Sequence, residues 1–293
     1  MPRVSVIIPC YNRGDYIAET VDSVFGQTLR DIELICVDDG STDQTRAILE
    51  GYGDRLTLLE HPGRVNKGQS AAINLGLAHA EGEFIAVLDS DDLWLPEKLE
   101  EQVAYLDAHP ETDIVYGNGE AIDGSGRHLY RIYETGHVER NDVADLLLDC
   151  YFLLPNNALV RSRLYDEAGG FDESLRAAQD HDMAIRLAER GNVAYLDRCW
   201  FRYRRHPDSI SHRNADLRWR NGFRILDAAA RRYPYPRSVL RRRRAVLHFR
   251  LAQCRVEQGR YLRAAAHALQ AGVLDPARTL RVLMRRERVS SPH

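Results

Sequence analysis

Short apolar runs alternate with segments of helical periodicity through the first 117 residues. Val4–Ile8 (VSVII) has the length and composition of a buried strand. Ile17, Val21, Val24 and Phe25 then recur at the spacing of one helix face. Glu33–Val37 predicts a second strand. Ser41-Thr42-Asp43-Gln44 has the form of a capping box, and Ala47, Ile48 and Leu49 carry a short helix onward. Leu56–Leu59 predicts a third strand, the Ala- and Leu-rich stretch Gly68–Ala80 a helix, and Glu83–Leu88 a fourth strand. Pro96 suits the first position of a helix running to about His109. Asp113–Gly117 closes the series as a strand. This alternation implies a mostly parallel α/β sheet with helices on both faces.

The pattern then loosens. Asp123-Gly124-Ser125-Gly126 reads as a hairpin turn. Asn141–Cys150 and Asp180–Glu189 read as helices, the second stopped by Gly191, and antiparallel strands are expected on one side of the sheet. From about Ala215 the chain reads as long Arg- and Ala-rich helices. Within them Ala245–Pro276 resembles a single tetratricopeptide-like hairpin. One such repeat cannot bury its own face, so it packs on the preceding helices as a cap or on a partner. The expected organisation is a main α/β domain over 1–214, with halves of about 1–117 and 118–214, and a basic helical region over 215–293.

Charge sharpens that division. The net charge of the 293 residues is −3, but acidic residues exceed basic ones by 21 up to Asp197, and basic exceed acidic by 18 from Arg198 onward. The basic part, with Arg241–Arg244 and Arg285-Arg286, suits either an anionic membrane surface or a solvated face that docks on the acidic half. Nucleic acid is not expected, because no basic patch interleaved with aromatics appears. No apolar run is long enough to span a bilayer, and the N-terminus lacks the form of a signal peptide. The expected location is the cytoplasm, with peripheral contact at the inner face of the membrane as the alternative. Cys10, Cys36, Cys150, Cys199 and Cys254 include no C-x-x-C pair, so reduced thiols are expected.

Ligands of open α/β sheets sit beyond the carboxyl ends of the parallel strands. There the sequence places Pro9-Cys10-Tyr11-Asn12-Arg13, Asp38-Asp39-Gly40-Ser41 and Asp89-Ser90-Asp91-Asp92. Carboxylates packed three in four residues disfavour one another's ionised form unless a cation neutralises them. Asp89-x-Asp91 offers oxygen ligands, which suit Mg2+ or Mn2+ and not zinc. The bland alternative is a solvated turn that caps the segment from Leu93. A carboxylate after an early strand, such as Asp38 or Asp39, suits a ribose hydroxyl or base N–H, and Tyr11 suits a base face or simple packing. No G-x-G-x-x-G or H-E-x-x-H occurs, and Gly63–Gln69 lacks the Lys and Ser/Thr spacing of a Walker A loop.

With these blocks in this order, VSVIIPCYNRGDYIAETVDSV, VDDGSTDQT, NKGQSAAINLGLAHAEGEFIAVLDSDD and AAQDHDMAIRLAERG, the chain resembles the family 2 glycosyltransferases over about Pro2–Ser211. The resemblance implies a GT-A fold and inverting transfer of a sugar from a nucleotide-diphosphate donor, supported by Mn2+ or Mg2+. The implied setting is cell-surface polysaccharide, lipopolysaccharide or glycolipid assembly, with a saccharide, lipid-linked or other hydroxyl acceptor. By the same resemblance Pro9, Tyr11 and Arg13 lie around the base, Asp39 reads it with Asp38 close by, and Lys67 and Gly68 approach the nucleotide. Asp89 is implied as a ribose- or metal-side carboxylate, Asp91 as a metal ligand and Asp180 as the general base. Gln179 stands where the family pattern, Glu-Asp-x-Asp, has its Glu.

Asp182 competes with Asp180 for the base, and Asp180 also suits a helix N-cap. Asp172 and Glu173, in Gly169–Glu173, resemble an acceptor-side loop. His206, in Tyr203–Pro207 with Ser211, resembles a segment closing over the diphosphate, where it contacts a phosphate or the metal or else lies on the surface. Two other classes compete. A nucleotidyltransferase acting on sugar phosphates would want a glycine-rich basic loop after the first strand, which Pro9–Asn12 is not. A non-enzymatic binding module would not need Asp89, Asp91 and Asp180 together.

Overall fold

A computed structural model of the chain describes residues 1–134, 136–137, 141–148, 154–206 and 215–283. Cys150, Pro207, Ser211, Arg285 and Arg286 lie outside the described residues. The chain divides into two compact units, Met1–Asn141 with Cys150–Ser209, and Asp142–Asp149 with Ile210–His293.

The first unit opens with the alternation the sequence predicts. It runs β1 (Val4–Cys10), α1 (Ile17–Phe25), β2 (Ile32–Asp38), α2 (Thr45–Glu50), β3 (Thr57–Glu60), α3 (Gln69–Leu77) and β4 (Phe84–Val87). It continues with β5 (Leu93–Trp94), α4 (Lys98–Ala108), β6 (Ile114–Asp123) and β7 (His128–Arg131). After α5 (Val143–Leu148), which belongs to the second unit, come β8 (Ala158–Arg161), α6 (Arg163–Ala168), α7 (Gln179–Ala188) and β9 (Val193–Arg205). The nine strands form one sheet in the order β3-β2-β1-β4-β8-β6-β9-β5, with β7 on β6.

β1, β2, β3 and β4 pair in parallel. β8 then runs antiparallel to both β4 and β6, while β6 and β9 are parallel. Alternate side chains of β1 enter opposite layers. Val4, Val6 and Ile8 pack with Ile17, Val21, Trp94 and Leu99, whereas Ile7 packs with Ile73, Val87, Met183 and Leu187. Register places the functional loops at one end of the sheet. Cys10 pairs with Asp38 and Ile7 with Val87, so the segments after β1, β2 and β4 leave the same edge.

Several boundaries differ from the sequence reading. β6 runs to Asp123 rather than stopping at Gly117, because β8, β7 and β9 pair along successive parts of it. α4 begins at Lys98, two residues after Pro96, whose carbonyl accepts the Thr28 N–H at 2.9 Å. No capping box forms at α2. Gln44 is its N-cap without a side-chain bond, and Asp43 instead accepts the N–H groups of Thr45 and Gly14. α7 begins one residue before Asp180, with Ala178 at its N-cap, so Asp180 lies inside the first turn.

The second unit holds α5, α8 (Ala215–Arg232), α9 (Arg237–Glu257), α10 (Tyr261–Leu274) and α11 (Pro276–Leu283). α9 and α10 form the expected hairpin, turning at Gly259 with φ +69°, a conformation glycine adopts without strain. Arg243 is buried and donates to the Leu148 carbonyl at 2.8 Å, tying α9 to α5. Buried Arg255 pairs with Asp216 of α8 at 2.6 Å. Part of the arginine richness of this region therefore serves internal docking. α10 packs through Ala264 and Ala271, and leaves Leu262, Leu269 and Val273 exposed on its opposite side.

One core group is a lysine whose charged form its surroundings oppose. Lys98 is fully buried, with Nζ 4.0 Å from the Trp94 ring centroid and donating to Gln102 Oε1 at 2.7 Å. Burial depresses its pKa well below the usual lysine value. The folded chain thus binds fewer protons than the unfolded chain between those two pKa values, and stability rises with pH across that window. Urea unfolding should show that rise as pH climbs toward about 10, near the ordinary lysine pKa. Lys98→Met should flatten it, and an unchanged slope in the variant would assign the rise to other groups.

Candidate functional site

The site is assembled from the loops that leave β1, β2 and β4 and from the start of α7. The first two loops are sewn together by side chains. Asn12, at φ 51°, accepts the Thr42 N–H on Oδ1 at 2.8 Å, while its own N–H donates to Ser41 Oγ at 3.0 Å. The Arg13 N–H donates to Thr45 Oγ1 at 2.7 Å, and the Gly14 N–H to Asp43 Oδ2 at 2.9 Å. The polar run after β2 therefore fixes the loop after β1. Between these clamps, Pro9 is buried in β1 opposite Val37, and Tyr11 stands just beyond it, 44% exposed.

Asp38 and Asp39 are both buried but do different things. Asp38 Oδ1 accepts the Ser41 N–H at 3.1 Å, and its Oδ2 has no partner among the described residues. Asp39 uses both oxygens on the backbone, accepting Lys67 N–H and Gly68 N–H at 2.7 Å each. It thereby holds the loop before α3 against β2. Gly68 adopts φ +94°, and a Cβ there would meet Arg176 Nη1 at 2.0 Å. Arg176 in turn donates to the Lys67 carbonyl at 2.6 Å, while the Lys67 residue itself is exposed.

The turn after β4 carries three carboxylates with three different sets of partners. Asp92 faces inward, accepting from Asn156 Nδ2 and from the Arg204 N–H at 2.6 Å each. Burial first, then Asp91 and Asp89, push its pKa well up. Asp91 accepts from Arg13 Nε at 2.9 Å and lies 3.0 Å from His206 Nε2. Burial raises its proton affinity, but His206 and Arg13 outweigh that and hold it below the usual carboxylate value. Asp89 Oδ1 accepts from Gln69 Nε2 at 2.7 Å, and the Asp89 N–H donates to Asn156 Oδ1 at 3.1 Å. Its pKa is pushed up to about 7, by burial first and then by the negative charges of Asp91 and Asp180.

That coupling puts Asp180 within electrostatic reach of the turn. Asp180 is half-buried, and among the described residues no donor holds its carboxylate. Asp182 is committed elsewhere. It is buried and accepts from Arg186 Nε at 2.8 Å, and Arg186 Nη1 donates to the carbonyls of Ala168 and Gly170. The pair pins the turn that leads into the next loop. In that loop Asp172 is exposed and accepts from Ser174 N–H and Oγ, and Glu173 Oε1 accepts from Asn74 Nδ2 at 3.0 Å.

The structure thus gathers Arg13, Asp89, Asp91, Asp180 and His206 at one end of the sheet. Nothing in the sequence pattern gives Gln69, Asn156 or Arg204 a part in holding the turn, or foretells the ion pair of Arg13 with Asp91. Asn156 lies 64 and 67 residues from Asp92 and Asp89 in sequence, so no local pattern marks it. Gln69 stands inside the stretch Gly68–Ala80 that predicts a helix, where nothing local marks its bond to Asp89. Among the described residues no three His, Cys, Asp or Glu side chains converge as a ready-made metal cage.

The sequence profile described as "Glycosyl transferase family 2" matches residues 5–169. An uncharacterized glycosyltransferase of Rickettsia typhi is 35% identical over 205 residues, 67% of this chain but 61% of the relative. The chain therefore spans about three fifths of that relative's length. The glycosyltransferase GlyG of Streptococcus pneumoniae is 32% identical over 74% of this chain and 75% of its own length. Chondroitin synthase of Escherichia coli is 28% identical over 79% of this chain and 33% of the relative.

Among solved structures, residues 1–349 of Staphylococcus aureus TarS match with a TM-score of 0.67 at 22% identity, covering 94% of this chain and 83% of that one. A mannosyltransferase of Pyrobaculum calidifontis, solved with GDP-Man and Mn2+, matches with a TM-score of 0.63 at 24% identity over 96% and 81%. The fold is therefore GT-A, the α/β architecture expected from the sequence, with helices following it.

Asn156 offers the sharpest test of how the acidic turn is held. Its backbone is left-handed, at φ 90°, so glycine keeps the conformation while deleting the side-chain bonds to Asp89 and Asp92. Asn156→Gly should lower unfolding stability by about 2 kcal/mol. Asn156→Ala should lose a further ~1 kcal/mol or more from backbone strain. Urea unfolding of both variants measures the two effects, and equal losses would remove the strain contribution.

Proposed function

The chain belongs to glycosyltransferase family 2, and on that premise we propose that it moves a sugar from a nucleotide-diphosphate donor to an acceptor hydroxyl with inversion. The observation that carries this reading is the meeting of the Asp89–Asp91 turn with Asp180, close enough for their charges to raise Asp89's proton affinity. A donor pyrophosphate and an attacking hydroxyl need those two functions at one place. Neighbours of the same fold, solved with UDP-GlcNAc and with GDP-Man, support the donor class.

The nucleotide would enter beside Tyr11 and Asp38. The half-exposed Tyr11 offers a face for stacking, and Asp38 Oδ2, without a partner among the described residues, offers an acceptor for a ribose hydroxyl or base N–H. Asp39 shapes this pocket by holding the Lys67–Gly68 backbone, and Lys67 stands exposed where it can face a phosphate.

A divalent cation fits the residues present. The candidates to hold it are the Asp89 and Asp91 carboxylates, with the His206 imidazole beside Asp91, and burial, then the charges of Asp91 and Asp180, raise Asp89's pKa to about 7. The lack of a complete protein cage among the described residues suits an ion that shares its sphere with phosphate oxygens. When bound, Mn2+ or Mg2+ would supply Lewis-acid stabilisation of the departing diphosphate. Arg13 and His206 orient Asp91. Asp180, free of other donors among the described residues, accepts the proton of the acceptor hydroxyl as it attacks. A single base on the face opposite the leaving group gives inversion.

We assign the acceptor to cell-surface polysaccharide or glycolipid assembly, a setting consistent with the relative named chondroitin synthase. A peripheral membrane contact is part of the same proposal. Leu262, Leu269 and Val273 lie exposed along one side of α10, and exposed Arg260 and Arg263 stand at its start. No helix among the described residues is long and apolar enough to cross a membrane.

Three measurements check this reading. Asp91→Ala should lose metal-dependent binding of UDP- or GDP-sugars in calorimetry. Asp180→Asn should keep binding but lower kcat by about 10²–10⁴-fold, and full turnover by pure Asp180→Asn protein would reject it as the base. In flotation assays the full chain should rise with anionic vesicles, and replacing Leu262, Leu269 and Val273 by Ser should abolish this. A wild-type chain that stays with the soluble fraction ends the membrane proposal.

A further inference from the structure

A hydrogen-bond chain crosses the floor of the site. Gln179 Nε2 donates to Gln69 Oε1 at 2.6 Å, and Gln69 Nε2 donates to Asp89 Oδ1 at 2.7 Å. It joins three separate elements. Gln179 is the first residue of α7, Gln69 the first of α3, and Asp89 follows β4. Gln179 is buried, and its own Oε1 has no partner among the described residues.

The chain has a direction. An ionised carboxylate can only accept, so with Asp89 ionised Gln69 must turn its NH2 end toward it, as observed. Its carbonyl end then faces Gln179, and only a donor satisfies it there. A glutamine at 179 supplies that donor, whereas a glutamate cannot. With glutamate at 179, Gln69 would satisfy its new neighbour by reversing, and would then present an oxygen to an oxygen of Asp89. The Gln179 Oε1 fits the same logic, because the amide is held with its donor inward although its acceptor finds no partner among the described residues.

We propose that Gln179 is a positioning residue that sets the direction of the Gln69 amide, so that Asp89 is held by a donor and its second oxygen is left for the ligand. Gln179 touches neither turn nor ligand in this role and acts through Gln69. This deepens the nucleotide-sugar reading and rests on it only where ligand binding is measured.

The test is a double-mutant cycle read by melting temperature, which needs no activity. Gln179→Glu should lower Tm by several degrees with Asp89 present. Asp89→Asn supplies an NH2 that can pair with a reversed Gln69, so Gln179→Glu should cost little when combined with Asp89→Asn. That rescue should vanish once Gln69→Met is added, because the two ends no longer communicate. A general structural role for Gln179 would not produce rescue by a change at residue 89. Rescue that persists with Gln69→Met would mean direct charge repulsion between residues 179 and 89, and would overturn the proposal. So would an equal Tm loss from Gln179→Glu with and without Asp89→Asn.

Should Gln179→Glu fail to fold, Gln179→Met and Gln69→Met are compared alone and together. The double variant should melt no lower than Gln69→Met alone, and additive losses would overturn the proposal. In a second readout, UDP and GDP are titrated with Mn2+. Whichever nucleotide the wild type binds should bind about tenfold more weakly to Gln179→Glu, and unchanged affinity would contradict the positioning role. If wild type binds neither, the donor reading fails while the Tm cycle still decides the relay.

Discussion

Like charges gathered at the edge of a buried sheet are the constraint around which this site is organised. Asp89, Asp91 and Asp92 leave one turn, and Asp180 stands within electrostatic reach of it. Each carboxylate is stabilised differently. Asp92 is absorbed into the fold by Asn156 and the Arg204 N–H, and Asp91 is held by Arg13 and His206. Asp89 accepts from one neutral amide and keeps an elevated proton affinity. Asp92 and Asp89 both keep raised proton affinities, so residual electrostatic strain is shared across the turn. Burial makes that strain larger than it would be in water. The surrounding loops serve to keep the crowding in place. Asn12, Ser41, Thr42, Asp43 and Thr45 clamp the first two loops, and Asp39 clamps the third.

The parallel half of the fold was legible because each strand there is a short apolar run ended by a polar loop. Register then brought Cys10, Asp38 and Val87 to one edge, as the strand-end rule requires. The later half was less legible for a physical reason. β6, β8 and β9 draw their pairing from distant partners, so β6 continues past Gly117 through polar Asn118 and Glu120, where no apolar run marks a strand. Local chemistry misled at two places. Ser41–Gln44 has the spacing of a capping box, yet its side chains bond across to the β1 loop. Pro96 has the right company for a helix start, yet its carbonyl is used by Thr28 and the helix begins later.

The candidate site shows the same division. Residues named by motif, Asp89, Asp91, Asp180 and His206, are brought together because each lies at an element terminus on the same edge. Residues that orient them were hidden, since a supporting side chain is defined by a contact and not by a local pattern. Asn156 and Arg204 belong to this group, and so does Gln69. Asp182 looked equivalent to Asp180 in sequence, but its place on the helix turns it toward Arg186 and into the core. The charge asymmetry was plain from composition, yet it did not reveal that Arg243 and Arg255 are buried structural groups.

The most direct measurement is calorimetric titration of UDP and GDP into the wild-type chain, with Mn2+ and then with excess chelator. Under the proposed function a cation held by Asp89 and Asp91 would favour the nucleotide's binding, and each ligand would tighten the other by the same factor. One of the two nucleotides should therefore bind at least about tenfold more tightly with Mn2+, a coupling of about 1.4 kcal/mol. A nucleotide that binds equally well in chelator would contradict the metal-bridged site.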